Sequence, residues 1–350
     1  MRKKLRRFRS IKRGYWSFIA LGIAFLLSLF AELLVSNRAL IVSYEGELYF
    51  PTYGSQINGT TFGLDYGYET NYRELAEKFV SEEDSGNWVL MPPVPFDPYE
   101  NDYARDDAQG YSPPDWGTEH LLGTDKTERD VLARLFYGFR ISMVFALGYL
   151  VLTYLIGTCA GCVMGYFGGK TDMFGLRLVE IWANVPFLYM VIILVSVIPE
   201  GWGTGIRVAL LLFIMVLFSW TGMTYYARAS SYKEKAREYV AAAKVLGAGP
   251  SRIIFRHLLP NVVSTLVTFA PFTVAAAITS ITALDFLGFG LPSPTPSWGE
   301  LLKQGVNNLR EAPWIVISTV TALVLTLTLV TFVGEAVREA FDPKRFSTYE

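Results

Sequence analysis

The sequence predicts an all-α integral membrane protein with six transmembrane helices and a long extracytoplasmic insertion between the first two. Hydrophobic residues make up 51% of the 350 residues and charged residues only 18%, whereas about a quarter of an ordinary soluble domain is charged. Six apolar stretches each reach the length of about 20 residues that a bilayer requires. Two cysteines and two histidines are too few for a disulfide scaffold or for most zinc sites.

The six apolar stretches comprise residues 16–35, 141–163, 178–198, 208–226, 262–284 and 314–333. Four of them contain no charged residue, while the first carries Glu32 and the third carries Glu180. An acidic group within a span is a functional candidate by default, and Asn184 and Pro186 follow it in the same stretch. Glu180, Asn184 and Pro186 are therefore candidate gate or pathway residues. A structural ion pair between Glu180 and Arg177 is the alternative.

Basic residues set the predicted orientation, because cytoplasmic segments of membrane proteins are enriched in Lys and Arg. The first 13 residues contain eight basic residues and no acidic ones, and the connection between the fourth and fifth stretches contains seven basic residues against two acidic ones. Both termini are therefore predicted to be cytoplasmic. The predicted segments are a basic N-terminal segment (1–15), a first helix (16–35), a periplasmic insertion (36–120), an amphipathic elbow (121–140), a membrane core (141–334) with a cytoplasmic loop (228–260), and a cytoplasmic tail (335–350).

The predicted insertion differs in composition from the rest of the chain, since residues 37–120 hold 16 acidic and 4 basic residues. Residues 40–50 predict a β-hairpin around Glu45-Gly46. Asn71, followed by Glu74, forms a capping-box pattern that predicts the start of an amphipathic helix. Two interpretations remain open for the insertion: a solvated cap, or an acidic surface that attracts a cationic partner or substrate.

On the second interpretation, the acidic cluster Glu82, Glu83 and Asp84 is a candidate for steering that partner. Its effect would weaken as salt rises, because exposed charges are screened over the Debye length.

The elbow at residues 121–140 predicts an amphipathic helix at the outer membrane interface. Either Thr124 or Thr127 is expected to cap this helix. Its apolar positions share one face and are Val131, Leu132, Leu135, Phe136 and Phe139. Arg129, Arg134 and Arg140 interrupt that face.

The connection between the fourth and fifth stretches carries the most informative pattern. Tyr239, Ala242, Ala243 and Leu246 recur at i, i+3, i+4 and i+7 and so share one helix face. This face is narrow and mostly small, so another protein can approach it closely. Gly247 is placed to end the helix in a left-handed turn. The pattern predicts a short helix across the cytoplasmic mouth, and an ordinary basic interfacial loop is the alternative.

This pattern resembles the EAA loop of the permease subunits of bacterial ABC importers. The resemblance rests on Ala242-Ala243, on Gly247 and on Leu259-Pro260, whereas Ala241 stands where the family has Glu. It implies that the loop is a coupling helix seated in a groove of a separate ATPase. The residues that the resemblance assigns to this coupling are Glu238, Tyr239, Ala242, Ala243, Leu246, Gly247 and Arg256.

Further motifs resemble the dipeptide and oligopeptide branch of the same family. They lie at residues 122–125, 129–134, 165–169, 285–292 and 296–302. The chain also resembles the permeases of the oligopeptide importers that take up microcin C. This resemblance rests on Trp88-Val89-Leu90, on Asn307-Asn308-Leu309 and on the long insertion.

The resemblance implies a type I ABC importer fold in a bacterial inner membrane, with no enzymatic activity and no cofactor in this chain. It implies that ATP and Mg are bound by partner ATPase subunits and that a second homologous permease subunit completes the pathway. A periplasmic peptide-binding protein would deliver oligopeptides, including microcin C-like peptides. The resemblance implies no nucleic acid partner.

Two alternative functions fit the sequence less well. An ion-coupled secondary transporter usually needs ionisable groups near the middle of the membrane, and only Glu180 is available. An intramembrane enzyme needs a reactive cluster within the spans, and both histidines lie outside them. Residues 168–171 end like a Walker A loop but lack its first glycine. Cys159 and Cys162 lie among small residues, which favours close helix packing over redox chemistry.

Overall fold

The computed structural model describes residues 2–81, 86–101, 110–115, 120–199 and 201–341. These residues are mostly helical and fall into two compact units. The helical unit comprises Met1–Leu21, Ser142–Pro292 and Leu325–Glu350, and the mixed unit comprises Gly22–Ile141 and Ser293–Val324. The all-α expectation therefore holds for most of the chain, but the mixed unit also contains a small sheet.

The helices, in chain order, are α1 (Arg2–Ser10), α2 (Lys12–Leu29), α3 (Ala31–Leu34), α4 (Tyr72–Ser81), α5 (Val131–Phe167), α6 (Gly169–Ala183), α7 (Phe187–Ser196), α8 (Thr204–Lys235), α9 (Glu238–Val245), α10 (Pro250–Leu287), α11 (Trp298–Asn307) and α12 (Pro313–Phe341). Within α10 the helix widens into a π-turn at Ile253–Leu258 and tightens into a 3-10 turn at Val267–Phe269. The wide turn lies just before Pro260, which has no N–H with which to continue the regular hydrogen-bond ladder.

Four described helices are long and apolar enough to cross a membrane, namely α5, α8, α10 and α12. α6 and α7 reach the same length and apolarity only as a pair, and they are bent by 72°, as in a broken span or a re-entrant loop. The third predicted span is thus two helices, because Pro186 cannot donate a hydrogen bond and disfavours helical backbone at Val185. The first predicted span divides into α2 and α3 at Phe30. The described residues therefore contain four helices that are able to cross a membrane, or five spans if the bent pair counts as one, and the six-helix arrangement stays a prediction.

The elbow prediction needs a correction at its helix start. Neither Thr124 nor Thr127 caps the helix; Asp130 does, and its Oδ1 accepts a hydrogen bond from the backbone N–H of Ala133 at 2.6 Å. From there α5 continues without interruption to Phe167. Residues 131–140 are thus the first turns of the second predicted span rather than a separate helix.

In the helical unit, α5 packs closely on α8 through glycines. A β-carbon at Gly161 would lie 2.6 Å from Cβ of Ala227, and one at Gly165 would lie 2.7 Å from Cβ of Ser231. Only glycine permits this approach. Cys162 is fully buried at the same contact and is a free thiol. The prediction that the two cysteines mark close helix packing is confirmed.

The mixed unit contains a three-stranded antiparallel sheet of β1 (Ile41–Tyr44), β2 (Glu47–Tyr49) and β3 (Trp88–Leu90), in the order β2-β1-β3. The predicted hairpin is confirmed: Glu45 and Gly46 both have positive φ, 51° and 86°, as a two-residue hairpin turn requires. The acidic cluster of Glu82, Glu83 and Asp84 lies outside the described residues.

The predicted helix after Asn71 is also present as α4. The side chain of Asn71 accepts hydrogen bonds from the backbone N–H groups of Arg73 and Glu74, at 3.2 and 3.4 Å. Leu75 and Phe79 of α4 are buried against one face of the sheet, together with Val42. The helix therefore covers this inner face of the sheet.

A buried group of charges holds the mixed unit together near the start of α5. Arg134 is fully buried, and its guanidinium lies 2.5 Å from Glu300 and 3.4 Å from Asp125. Arg129 also pairs with Asp125, at 2.7 Å. Two of the arginines that interrupt the apolar face, Arg129 and Arg134, are thus buried with carboxylates from α11 and from the loop before α5, which compensates the cost of removing each charge from water. The third, Arg140, is partly buried and pairs with Glu32 at 2.9 Å.

Candidate functional site

The candidate coupling helix is α9, which lies between α8 and α10. Glu238 occupies its first turn and Lys244 its last, the charges that the helix dipole favours at each end. Gly247 has φ of +80°. Its N–H donates to the carbonyl of Lys244 and the N–H of Ala248 donates to that of Ala243, both at 3.0 Å. This is the Schellman arrangement, and it confirms the predicted left-handed turn at Gly247.

The inner face of α9 packs into the core of the helical unit. Val240 is fully buried and Ala243 is 8% exposed. They contact a cluster whose other buried members come from α5, α8 and α10, namely Cys162, Met223, Ala227, Ile253, Ile254, Leu258, Val262 and Leu266. The helix is consequently held on three longer helices at once.

Tyr239 links α9 to two of these helices, α8 and α10, by hydrogen bonds. Its hydroxyl donates to the carboxylate of Glu234 at 3.0 Å, accepts from Nδ2 of Asn261 at 3.2 Å, and lies 3.5 Å from the carbonyl oxygen of His257. Burial is the main cause that raises the pKa of the Tyr239 hydroxyl above its usual value, and the hydrogen bond to Glu234 raises it further. The hydroxyl therefore keeps its proton and its donor role at neutral pH.

The outer face of α9 is exposed and apolar. Ala241 and Ala242 are exposed, and Val245 and Leu246 are 87% and 86% exposed. The four residues predicted to share one docking face are therefore divided. Ala242 and Leu246 point outward, whereas Ala243 points into the core and Tyr239 is held by its hydrogen bonds, because the core approaches α9 on the side of Val240.

A cleft of about 930 Å³ lies beside the end of α9. It is lined by Gly247, Gly249, Pro250, Ser251, Arg252, Phe255, Arg256 and Pro260. Arg256, a predicted coupling residue, is exposed here. Gly247 lines this cleft and directly follows Leu246, so the cleft begins where the outer face of α9 ends.

Three contacts that the sequence did not predict fix the surroundings of α9. The carboxylate of Asp172 in α6 pairs with the guanidinium of Arg228 in α8, with one contact at 2.6 Å. The ring of Tyr166, at the end of α5, has Lys235 at 5.7 Å and Lys244 of α9 at 5.6 Å. These are cation–π distances. No local pattern marks these pairs, since their members lie in different helices.

The candidate pathway residues lie at the bend between α6 and α7. Glu180 pairs with Arg177 at 2.7 Å, and the side chain of Asn184 donates to the backbone carbonyl of Glu180 at 2.7 Å. Asn184 and Pro186 are exposed. The structure thus brings all three predicted residues to one bend, and it also contains the ion pair that was the alternative for Glu180.

No group of three or more His, Cys, Asp or Glu side chains in the described ranges is arranged to hold a metal ion. The arrangement offers instead a rigid helix with an apolar outer face and a broken helix with exposed polar groups. The first of these features suits mechanical coupling between protein surfaces.

The chain matches known proteins along nearly its whole length. Residues 157–347 match the family of binding-protein-dependent transport system inner membrane components. The inner membrane ABC transporter permease protein YejE of Escherichia coli is 40% identical, over 97% of this chain and 96% of that protein. The peptidoglycan transport system permease protein YejE of Agrobacterium fabrum is 38% identical, over 98% and 93%. The oligopeptide transport system permease protein OppC of Escherichia coli is 36% identical, over 71% and 81%.

Proposed function

Because this chain belongs to the family of binding-protein-dependent transport system inner membrane components, we propose that it is the permease subunit that carries oligopeptides across the inner membrane in an ABC importer. The chain is a translocation subunit and not an enzyme. ATP hydrolysis is the task of a separate subunit, which binds ATP and Mg.

We propose that the outer face of α9 couples this chain to the ATPase subunit. Ala241, Ala242, Val245 and Leu246 form an exposed apolar surface on a short helix. Exposed apolar surface of this kind marks a contact with another protein or with a membrane. We assign it to the ATPase groove, with Glu238 and Gly247 at its two ends and Arg256 in the adjoining cleft.

We propose that a push on this surface is transmitted to the membrane through the inner face of α9. Val240 and Ala243 are packed into the core cluster, and Tyr239 is hydrogen-bonded to α8 and α10. A close-packed contact transmits displacement because it has few voids to absorb it. Movement of α9 should therefore move the cytoplasmic ends of α8 and α10 with it, which would switch the pathway between its two states.

The bend at Asn184–Pro186 is the proposed pathway element. An interrupted helix within a membrane is tolerated where its free backbone groups face protein or a water-filled cavity, and broken helices of this kind form substrate sites in other transporters. Exposure of Asn184 and Pro186 supports this assignment. Glu180, through its pair with Arg177, would set the charge beside the bend.

The remaining architecture follows the family. We propose six transmembrane helices with both termini in the cytoplasm, a second homologous permease subunit across the pathway, and a periplasmic peptide-binding protein on the outer side. Oligopeptides are the proposed substrates because OppC is named for their transport. Microcin C-like peptides are proposed on the similarity to the YejE relatives.

The test is uptake by the reconstituted importer. Proteoliposomes that contain this chain, the second permease and the ATPase should accumulate a labelled oligopeptide only when ATP-Mg is enclosed with the ATPase and the binding protein is outside. Uptake that follows a proton or sodium gradient without the ATPase would refute the proposal and favour an ion-coupled carrier.

A further inference from the structure

The sheet of the mixed unit is covered on one face only. Val42, Tyr49 and Val89 turn inward and join the core beneath α4, and the ring of Tyr44 stacks on Phe79 at 5.9 Å. Successive residues of a strand point to opposite faces. The residues that alternate with these inward-facing side chains along each strand therefore form a second, outer face of the sheet.

That outer face is apolar and open. Trp88 and Leu90 of β3 are 46% and 47% exposed, Leu48 of β2 is 57% exposed, and Phe50, two residues further, is 59% exposed. The strand register brings them together, because Ser43 of β1 pairs with Leu48 on one side and with Trp88 on the other. The result is an exposed, mainly apolar patch on both sides of Ser43, with a tryptophan among its members, which we call the outer sheet face.

The charges around this patch are acidic. Glu45 and Glu47 are exposed on the hairpin at its edge, within a segment of 16 acidic and 4 basic residues. The basic side chains described there are already engaged. Arg38 pairs with Glu69, Arg73 pairs with Glu100, and Lys78 donates to the carbonyl of Gly63.

We propose that the outer sheet face is the docking surface for the binding protein of this importer. The proposal rests on the proposed function and orientation. A binding-protein-dependent transporter must receive a soluble protein on its outer side, and a tryptophan within apolar neighbours is the usual centre of a protein interface. The acidic edge selects a partner with a basic rim. The same edge opposes insertion into a membrane that contains anionic lipids.

The first experiment measures binding of the binding protein to the assembled importer in nanodiscs. The triple variant Leu48→Thr, Trp88→Thr and Leu90→Thr introduces β-branched residues, which strands favour, and removes most of the apolar patch. Its affinity should be about tenfold weaker or worse. Val80→Thr is the matched control, because Val80 is 80% exposed on α4, outside the patch, and should bind as the wild type does.

The second measurement removes the charges alone. Glu45→Gln with Glu47→Gln should slow association at low salt, and the difference from wild type should disappear as salt rises. ATPase activity without the binding protein should be the same in all variants, which controls for folding and assembly.

Two results would overturn the inference. One is unchanged affinity of the triple variant. The other is quenching of the Trp88 emission (wild type minus Trp88→Phe) by brominated phosphatidylglycerol in the nanodisc, which would assign the patch to the membrane. Either result leaves the proposed function intact if wild-type uptake still requires the binding protein. Loss of that requirement in the wild type would instead refute the proposed function.

Discussion

Ala242 and Ala243 are adjacent in α9 but face different surroundings, since Ala242 is exposed and Ala243 is 8% exposed within the core cluster. Their spacing in the sequence predicts that both residues belong to one face of small side chains. The structure separates the contact with a partner from the contact with the rest of the chain. A pair of substitutions can therefore test the two roles independently.

Ala242→Glu should uncouple ATP hydrolysis from transport while the chain folds and assembles normally, because the new carboxylate is on the exposed side. Ala243→Glu should instead lower the amount of folded chain, since it places a charge in the core without a partner. The measurements are the ratio of peptide transported to ATP hydrolysed, and the yield of monodisperse complex. Equal behaviour of the two variants would contradict the division of the faces.

Gly247→Val should reduce coupling for a conformational reason. No atom lies within 4 Å of the position where a β-carbon would be, so there is room for a side chain, but φ is +80°. A β-branched residue in that conformation costs on the order of 1–2 kcal/mol and should misdirect the end of α9. Gly247→Asn is the control, because Asn tolerates left-handed backbone, and it should retain most of the transport. If both variants transport normally, the turn is not needed for coupling.

The local features of this chain were predictable and the tertiary ones were not. The hairpin at Glu45-Gly46, the cap at Asn71 and the turn at Gly247 depend on a few neighbouring residues whose backbone preferences act directly. The orientation of α9 depends on where the core formed by Ile253 and Leu258 lies, which no local pattern records. The pairing of Arg134 with Glu300 joins residues 166 positions apart, so the sequence shows only two isolated charges.

Arg134→Met should destabilise the mixed unit by about 3 kcal/mol or more, because it leaves the carboxylate of Glu300 beside a buried site without its partner. The double variant Arg134→Met with Glu300→Met should recover part of this loss. The measurement is the midpoint of thermal unfolding in detergent, analysed as a double-mutant cycle. Additive effects of the two single substitutions would show that the pair does not interact.

Asp97→Asn should stabilise the chain at neutral pH and have less effect in acid. Burial is the main cause that raises the pKa of Asp97, so the folded state binds a proton more readily than the unfolded state, whose Asp pKa is about 3.9. Stability from this group is then lost as pH rises through the folded pKa. Asn keeps an acceptor for the N–H of Tyr99, which lies 2.9 Å from Oδ1 of Asp97. The thermal midpoint of the variant minus that of wild type should increase between about pH 4 and pH 7. A constant difference would refute the titration.

Single cysteines at Ser55 and Ser251 should react from opposite sides of the membrane, with the native Cys159 and Cys162 replaced by Ala. The basic N-terminal segment and the basic connection around α9 place Ser251 in the cytoplasm, and one crossing by the first apolar stretch places Ser55 outside. Ser231 would serve less well as the inner site, because the structure buries it completely against α5, whereas Ser55 and Ser251 are both exposed.

In intact spheroplasts, an impermeant maleimide should label the cysteine at position 55 at once and the cysteine at position 251 only after the membrane is opened. Immediate labelling of both, or of neither, would show that the three stretches between these positions cross the bilayer an even number of times and that the six-helix arrangement is wrong. Labelling of position 251 alone would reverse the orientation and remove α9 from any cytoplasmic ATPase.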